Sequence, residues 1–396
     1  MLHLRLTTIQ LQRRVRSHVM RRILILHALL GTGHLSAARA LDAAFARFPG
    51  VEAHVEDSLD FINPALSSLW KKGYKELSEH AAGLYSQVYR AADTDDAQRA
   101  MAENLRGATR GWPFFQKLEH YVAEFAPAAI IAVMPVPLAL MSQLKAEGRL
   151  ACPLYGVVTD FLAHSVWAVP HVTRYFVPSR TTAAMLAWQG LDPDNLTVTG
   201  IPINPAIAEP KQADKLRWQH KLPLDRPLVT IFGGGVDPAT IAFIAARLVE
   251  QEVPLTLMIC AGRNERLLDA LAGIEGNATV GLQKLGMIDY VDDLVTTSDL
   301  VISKPGGLIT SEVLARGTPM ITICPLPGQE EPNADFVTLS GAGISLRVPE
   351  LVPITVLHLL ESPALLSRMR ANAQAVGKPR AALTIAEQVL ADLEVI

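Results

Sequence analysis

From Arg22 onward, short apolar runs alternate with helix-length amphipathic stretches. "ILILHALL", beginning at Ile23, is an unbroken apolar run, the pattern of a strand covered on both faces. A helix from about Ser36 to Phe48 follows it. "EAHVEDSL", "AAIIAVM", "LYGVVTD", "RYFVPS" and "LTVTGIPI" continue the strand series, and "TTAAMLAWQG" reads as a helix within it. Residues from about Leu66 to Glu124 read as almost wholly helical. The proline-rich "GIPINPAIAEP" has no helical period and predicts a linker. The alternation then restarts with "LVTIFGGG", "LTLMICAG", "NATVGL", "LVISKPGG" and "PMITICP", separated by helical patterns. Repeated strand–helix units predict an α/β fold with parallel sheets and helices on both faces. Two such series predict two Rossmann-like domains facing a cleft, with the ligand-binding loops after the strands. The expected division is a basic extension over 1–21, one domain over 22–205, a second over 206–375, and a last helix over 376–396 returning to the first domain.

The chain has 396 residues, enough for two cores, and 49% are apolar against 19% charged. No stretch reaches the ~18 uninterrupted apolar residues of a spanning helix, and the longest candidates, such as Pro127 to Met141, are broken by prolines. A net charge of −3 argues against a nucleic-acid role. Cys152, Cys260 and Cys324 lie far apart in or beside apolar runs. They fit buried thiols in a reducing compartment and make neither zinc spacing nor a disulfide framework. Arg5, Arg13, Arg14, Arg16, Arg21 and Arg22 crowd the first 22 residues, which carry no acid. Two readings stand for them: an upstream extension ahead of Met20, or a basic surface helix on anionic lipid.

The chemistry-bearing loops follow strands. A strand ends at Ser303, Lys304-Pro305-Gly306-Gly307 makes a turn, and a helix opens near Leu308. Glycines and an electropositive helix start suit a diphosphate. Glu312, about one turn on, can accept hydrogen bonds from a ribose diol, or is an ordinary surface glutamate. "PGQEEPNAD" follows the next strand, and Gln329 and Glu330 have the hydrogen-bonding capacity for sugar hydroxyls. After the first strand, Gly31, Thr32, Gly33 and His34 form a glycine turn opening a helix. Asp93–Asp95 and Asp192–Asp194 both read as solvated acids, so no metal site is expected.

"SKPGGLITSEVLARGTPMI" followed by "PGQEEPNADF" resembles the donor region of monogalactosyldiacylglycerol synthases and processive diacylglycerol glucosyltransferases, which are GT-B, family 28-like glycosyltransferases. "VVTDFLAHSVWAVPHVTRYFVPS" resembles that family's Asp-Tyr/Phe-xx-His-xx-Trp segment, read as Asp160, Phe161, His164 and Trp167. "VTGIPINPAI" resembles its interdomain linker. "IFGGGV", with Gly233, Gly234 and Gly235, resembles the first glycine turn of its donor domain. "CAGRNERL", with Arg263 and Asn264, resembles its Gly-Arg-Asn segment. The helical insert, with Trp70, Lys71, Lys72, Tyr74, Lys75 and Tyr85, also has the family's mixture of aromatics and cations. The resemblance runs over most of the chain from Arg22 onward.

The resemblance implies that Glu312 binds the donor ribose, that Gln329 and Glu330 hold the donor sugar with Asn333 nearby, and that Gly306 and Gly307 approach the diphosphate. The base would rest near Met287 and Ile288. Ser303, Lys304, Pro305, Gly233, Gly234, Gly235, Arg263 and Asn264 complete the implied donor site. The implied acceptor site is Gly31, Thr32, Gly33, Phe161, His164 and Trp167. Thr32 stands where the family usually has glycine, a departure on the acceptor side.

The expected reaction is inverting transfer of galactose or glucose from UDP-galactose or UDP-glucose to diacylglycerol, with no cofactor and no metal. His34 is the expected base, with Asp160 or His164 sharing or taking that role; alternatively His34 hydrogen-bonds a backbone or phosphate oxygen. The expected setting is peripheral, at the cytoplasmic face of an anionic membrane, through the helical insert; alternatively the insert packs its aromatics into the core. The competing readings are a nucleotide-sugar epimerase or hydrolase of the same fold, and a nucleotide-sugar-binding protein impaired in catalysis.

Overall fold

The computed structural model describes residues 20–28, 33–61 and 113–395. Two parallel six-stranded sheets organise the chain, the α/β architecture of two Rossmann-like domains that the alternation predicts and the GT-B fold that the resemblance implies. The first contains β1 (Arg21–His27), β2 (Val51–Asp57), β3 (Ala129–Ala132), β4 (Leu154–Val157), β5 (Arg174–Val177) and β6 (Leu196–Val198). Their spatial order is β2-β1-β3-β4-β5-β6. The second contains β7 (Leu228–Phe232), β8 (Leu255–Cys260), β9 (Val280–Leu285), β10 (Leu300–Ser303), β11 (Met320–Ile323) and β12 (Gly343–Leu346), in the order β12-β11-β10-β7-β8-β9. The strand order reverses between β1 and β3 in one sheet and between β7 and β10 in the other. Open parallel sheets form their ligand crevices beyond the carboxyl ends of the strands at such reversals.

The central strands are apolar throughout because helices cover both faces. Ile23, Leu24, Ile25 and Leu26 of β1 are wholly buried. Helix α1 (Gly33–Phe45) follows β1. Its alanines 38, 40 and 44 let its backbone lie close to the sheet, in a core shared with Leu41 and Phe45. The last helix (Ala381–Val395) packs on this same core through Ala382, Ile385, Ala386 and Val389. The chain therefore finishes on the first sheet after completing the second.

The stretch read as a linker is ordered by local chemistry. Asn204 accepts from the Ala206 amide and caps a short 3₁₀ turn, Pro205–Ala208, while Ile201, Ile203 and Ile207 are buried. Helices α2 (Pro113–Phe125), α3 (Pro135–Ala146), α4 (Arg180–Trp188), α5 (Ala213–Gln219), α6 (Pro238–Val249), α7 (Glu265–Leu271) and α8 (Val291–Thr297) follow in chain order. Next come α9 (Gly307–Ala315), α10 (Glu331–Leu339), α11 (Leu351–Leu360) and α12 (Pro363–Val376).

Residues 62–112 fall outside the described residues, and with them Asp93–Asp95 and the aromatic–cationic insert around Trp70 and Tyr85. Gly31 and Thr32 also fall outside them. Among the described residues, no helix is long and apolar enough to cross a membrane.

Candidate active site

The two strand-order reversals face each other across one cleft. On the first sheet, His34 lies at the start of α1. Its Nδ1 is 3.0 Å from the Val133 carbonyl oxygen, just beyond β3, and 3.1 Å from Thr159 Oγ1, just beyond β4. A carbonyl can only accept, so Nδ1 carries the proton and Nε2 keeps its lone pair. Burial pulls the His34 pKa down to about 4, with the nearby His27 adding to the effect against the Val133 hydrogen bond. The ring is neutral at physiological pH.

Asp160 follows Thr159. Burial pushes its pKa up to about 6; the amide of Asn333 opposes the rise and the charge of Glu330 adds to it. Of the two groups, the carboxylate has the pKa better matched to proton transfer near neutrality.

On the second sheet, β10 ends at Ser303 and α9 opens at Gly307. Gly306 precedes it with extended backbone and no side-chain cap, so the first N–H groups of a nine-residue helix remain for a ligand. Lys304 adds a full positive charge. Its ammonium pairs with Glu330 Oε2 at 3.0 Å and lies beside Gly235, the glycine after β7 that adopts a left-handed conformation (φ 72°). Gly33 approaches Leu308 of α9, so the N-termini of α1 and α9 lie close together. Two helix starts make this the positive end of the cleft, with the Lys304 charge balanced by Glu330.

Glu312 lies in α9, and burial pushes its carboxyl up to about 7, with Asp292 contributing. Asp292 is itself held by Arg316, whose Nε and Nη2 lie 2.5 and 2.6 Å from its two oxygens, and by Lys211 at 2.6 Å. Arg316 also donates to the Glu209 carbonyl at 2.8 Å. The interdomain segment is thus tied to the helix that carries Glu312. Sequence reasoning missed this network because its members are scattered from 209 to 316.

The structure revises several residues. Trp167 is 2% exposed in the core of the first domain, in one cluster with Leu138, Met141 and Tyr175, where it packs as a core residue. His164 is buried, and its Nδ1 accepts from the Val166 amide, capping the turn Ser165–Trp167. Phe161 is buried between the halves and stacks on Phe336 with ring centroids 4.2 Å apart. The implied acceptor site keeps Gly33 among the described residues.

On the donor side, Asn333 is wholly buried with its amide engaged by protein. The Asn264 side chain accepts from the Leu267 amide and caps α7. The Ser303 hydroxyl turns inward to the Lys304 carbonyl, and Pro305 is buried. Gly307 meets Thr159 of the other half, so its missing side chain serves domain contact. Glu330 Oε2 accepts from the Leu326 amide at 2.7 Å as well as from Lys304, which braces its own loop, while Oε1 faces Gly306. Gly233 is buried and gives its N–H to the Cys260 carbonyl; Gly234, Gly235, Arg263 and Met287 are exposed. Ile288 packs against the buried cluster of Leu222, Leu228, Met258, Cys260 and Leu294. Gln329 sits on the loop after β11, partly exposed. Thr159 and Val133, which hold His34, were not singled out. Their position directly beyond strand ends was the available signal.

A family model described as monogalactosyldiacylglycerol (MGDG) synthase matches residues 34–203. The processive diacylglycerol beta-glucosyltransferase of Bacillus subtilis is 26% identical over 377 residues, covering 95% of this chain and 96% of that protein. The enzyme of the same name from Bacillus licheniformis is 27% identical, covering 94% and 96%. Among solved structures, Acinetobacter baumannii MurG has a TM-score of 0.62 at 16% identity, covering 93% of this chain and 99% of its own. Anabaena HepE in complex with UDP and glucose has a TM-score of 0.55 at 15% identity, covering 95% and 100%. The UDP-GlcNAc 2-epimerase of Neisseria meningitidis reaches 0.59 at 12% identity, covering 94% and 100%. The likeness to these structures is one of fold.

Proposed function

We propose that the chain, similar over most of its length to processive diacylglycerol glucosyltransferases and matched by the monogalactosyldiacylglycerol synthase model, is an inverting hexosyltransferase of that family acting on diacylglycerol. The observation that carries the reading is the cleft itself. A neutral histidine and a carboxylate poised near neutrality stand on one sheet. The electropositive start of α9, with Lys304, stands opposite.

In the proposed reaction, the donor's diphosphate lies at the α9 start, where the Gly307 and Leu308 amides and Lys304 balance the charge that grows as it leaves. Glu312 receives the ribose hydroxyls. The glycine turn Gly233–Gly235 flanks the diphosphate, with Arg263 beside it, and the base rests against Met287 and Ile288. Gln329 and the loop braced by Glu330 hold the sugar. Asp160 takes the proton of the acceptor hydroxyl as that oxygen attacks the anomeric carbon. The nucleoside diphosphate leaves from the opposite face, so the product is a β-glycolipid. His34, neutral and fixed through Nδ1, offers Nε2 as an acceptor that orients the attacking hydroxyl.

UDP-glucose is the donor favoured by the names of the relatives aligned over 94–95% of the chain, and UDP-galactose by the family model's description. The reading commits to glucose. A diacylglycerol acceptor is reached at a bilayer surface, which favours a peripheral protein on the face where UDP-sugars are found.

The test is purified protein with UDP-glucose or UDP-galactose and diacylglycerol vesicles, with lipids followed by mass spectrometry. The expected result is a β-glucosyl lipid formed only when acceptor is present. Consumption or isomerisation of the nucleotide sugar without acceptor would favour the epimerase or hydrolase chemistry instead. No product with either donor would overturn the reading.

A further inference from the structure

The side chain of Asn333 is 0% exposed although it belongs to a loop-proximal turn of α10 at the cleft edge. Its Oδ1 accepts from the Phe161 amide at 2.8 Å. Its Nδ2 donates to the Pro305 carbonyl at 3.0 Å and reaches Asp160 Oδ1 at 3.4 Å. Two of these partners belong to the first sheet's loop 159–161, and one belongs to the turn that opens α9. The amide thus uses three of its four hydrogen-bonding positions on protein and offers no surface to a sugar.

Phe336 is three residues further along α10, on the same face, and its ring stacks on Phe161. Together, Asn333 and Phe336 grip residues 160 and 161 from the second domain. Gly307 meets the carbonyl of Thr159 from the same side. The strip Thr159–Phe161 is therefore where the halves dock, and it also carries Asp160 and the hydroxyl that touches His34.

We propose that Asn333 is a positioning residue, a clasp that joins cleft closure to the placement of Asp160. One amide group bridges the Pro305 carbonyl of the donor turn and the Asp160 carboxylate, so docking the turn and orienting the carboxylate are a single event. Opening the cleft would leave the Phe161 amide and the Asp160 carboxylate without this partner, which disfavours half-closed states. The assignment of Asp160 as proton acceptor rests on the glycosyltransferase reading; the clasp does not. The charged and titratable groups around Asp160 are Glu330 and Lys304 from the second domain, and His34, behind Thr159, from the first.

Two variants test the clasp. Asn333→Ala removes all three hydrogen bonds. Hydrogen exchange in the peptide containing Phe161 should accelerate, while amides of the β7 and β8 strands stay protected. UDP affinity by calorimetry should stay within about threefold, and kcat should fall by about tenfold or more. The acidic limb of the kcat profile should move to higher pH, because Asp160 loses a donor to its charged form. Asn333→Asp keeps the acceptor for Phe161 but sets a second carboxylate against Asp160. Exchange at Phe161 should stay slow while the limb moves higher still.

A fall in UDP affinity matching the fall in kcat, with unchanged exchange at Phe161, would make Asn333 a donor ligand and overturn the clasp. Wild-type kcat and an unmoved limb in both variants would do the same. If Asn333→Ala fails to fold, Asn333→Asp decides: reduced kcat at unchanged UDP affinity with a shifted limb supports the clasp, and wild-type behaviour overturns it. If the wild type forms no glycolipid, the proposed reaction fails, and exchange at Phe161 still decides the clasp.

Discussion

Gly307 and Thr159 meet across the cleft so closely that a β-carbon on residue 307 would collide with the Thr159 carbonyl oxygen. The obstacle is backbone just beyond β4, not the far end of a flexible side chain. Gly307→Ala therefore holds the domains apart at the point where the donor turn meets the strip carrying Asp160. A displacement on the order of 1 Å costs about a hundredfold in rate. The expected result is a kcat loss of that size with UDP affinity changed by less than about threefold, since the donor-side groups remain on one domain. Calorimetry with UDP beside steady-state kinetics makes the comparison. A large loss of UDP binding would show that the added methyl disturbs the diphosphate seat at the α9 start rather than the contact between the domains.

The pH profile separates the two candidate proton acceptors. Asp160, pushed up to about 6 by burial, must be ionised to accept a proton, so the rate should rise with pH through about 6 and level off above it. His34, drawn down to about 4, is already neutral there and adds no limb in that range. Asp160→Asn should cost about 10²–10⁴ in kcat and remove the limb. His34→Ala should lower the rate and leave the limb near 6. A limb that disappears with His34 and persists without Asp160 would reverse the roles.

Eleven of the twelve strands follow stretches read as strands from the sequence, and the central ones were legible because buried parallel strands announce themselves as unbroken apolar runs. β12, "GISL", was not, since a four-residue edge strand with glycine and serine carries no such signal. The loops were legible for the same reason: they lie where apolar runs stop. What each loop residue does was not legible. Asn333 and Phe161 are expected as ligands because the family resemblance carries donor and acceptor roles onto their segments. Their burial depends on how the domains meet, a contact between residues 172 apart. The Arg316–Asp292–Lys211 network is hidden likewise, because its charges are scattered in sequence and gathered only by folding.

Trp167 gives a direct measure of that limit. It fills the first domain's core at 2% exposure beside Leu138, Met141 and Tyr175. Trp167→Ala should remove about 3–5 kcal/mol of stability by leaving a cavity. The folded fraction should keep its acceptor KM. Guanidinium unfolding, paired with kinetics at low temperature, measures both. A raised acceptor KM at unchanged stability would return Trp167 to the acceptor site.

Glu312 ties donor binding to pH. Its carboxyl, raised to about 7 by burial and by Asp292, is largely protonated below neutrality in the empty cleft. A ribose diol gives two O–H donors, which favour the charged carboxylate and lower its pKa in the complex. Binding should therefore expel a proton below about pH 7, and affinity should rise with pH until Glu312 is ionised without ligand. Uridine is the right probe, because its missing phosphates cannot contribute protons. Calorimetry at pH 6.5 in two buffers of different ionisation heat counts the protons released. Glu312→Gln should abolish the release and flatten the pH dependence, weakening uridine by about 1.5–3 kcal/mol at pH 8, where a hydrogen bond to a charged group is lost. If the variant releases as many protons as the wild type, the ribose does not sit on Glu312.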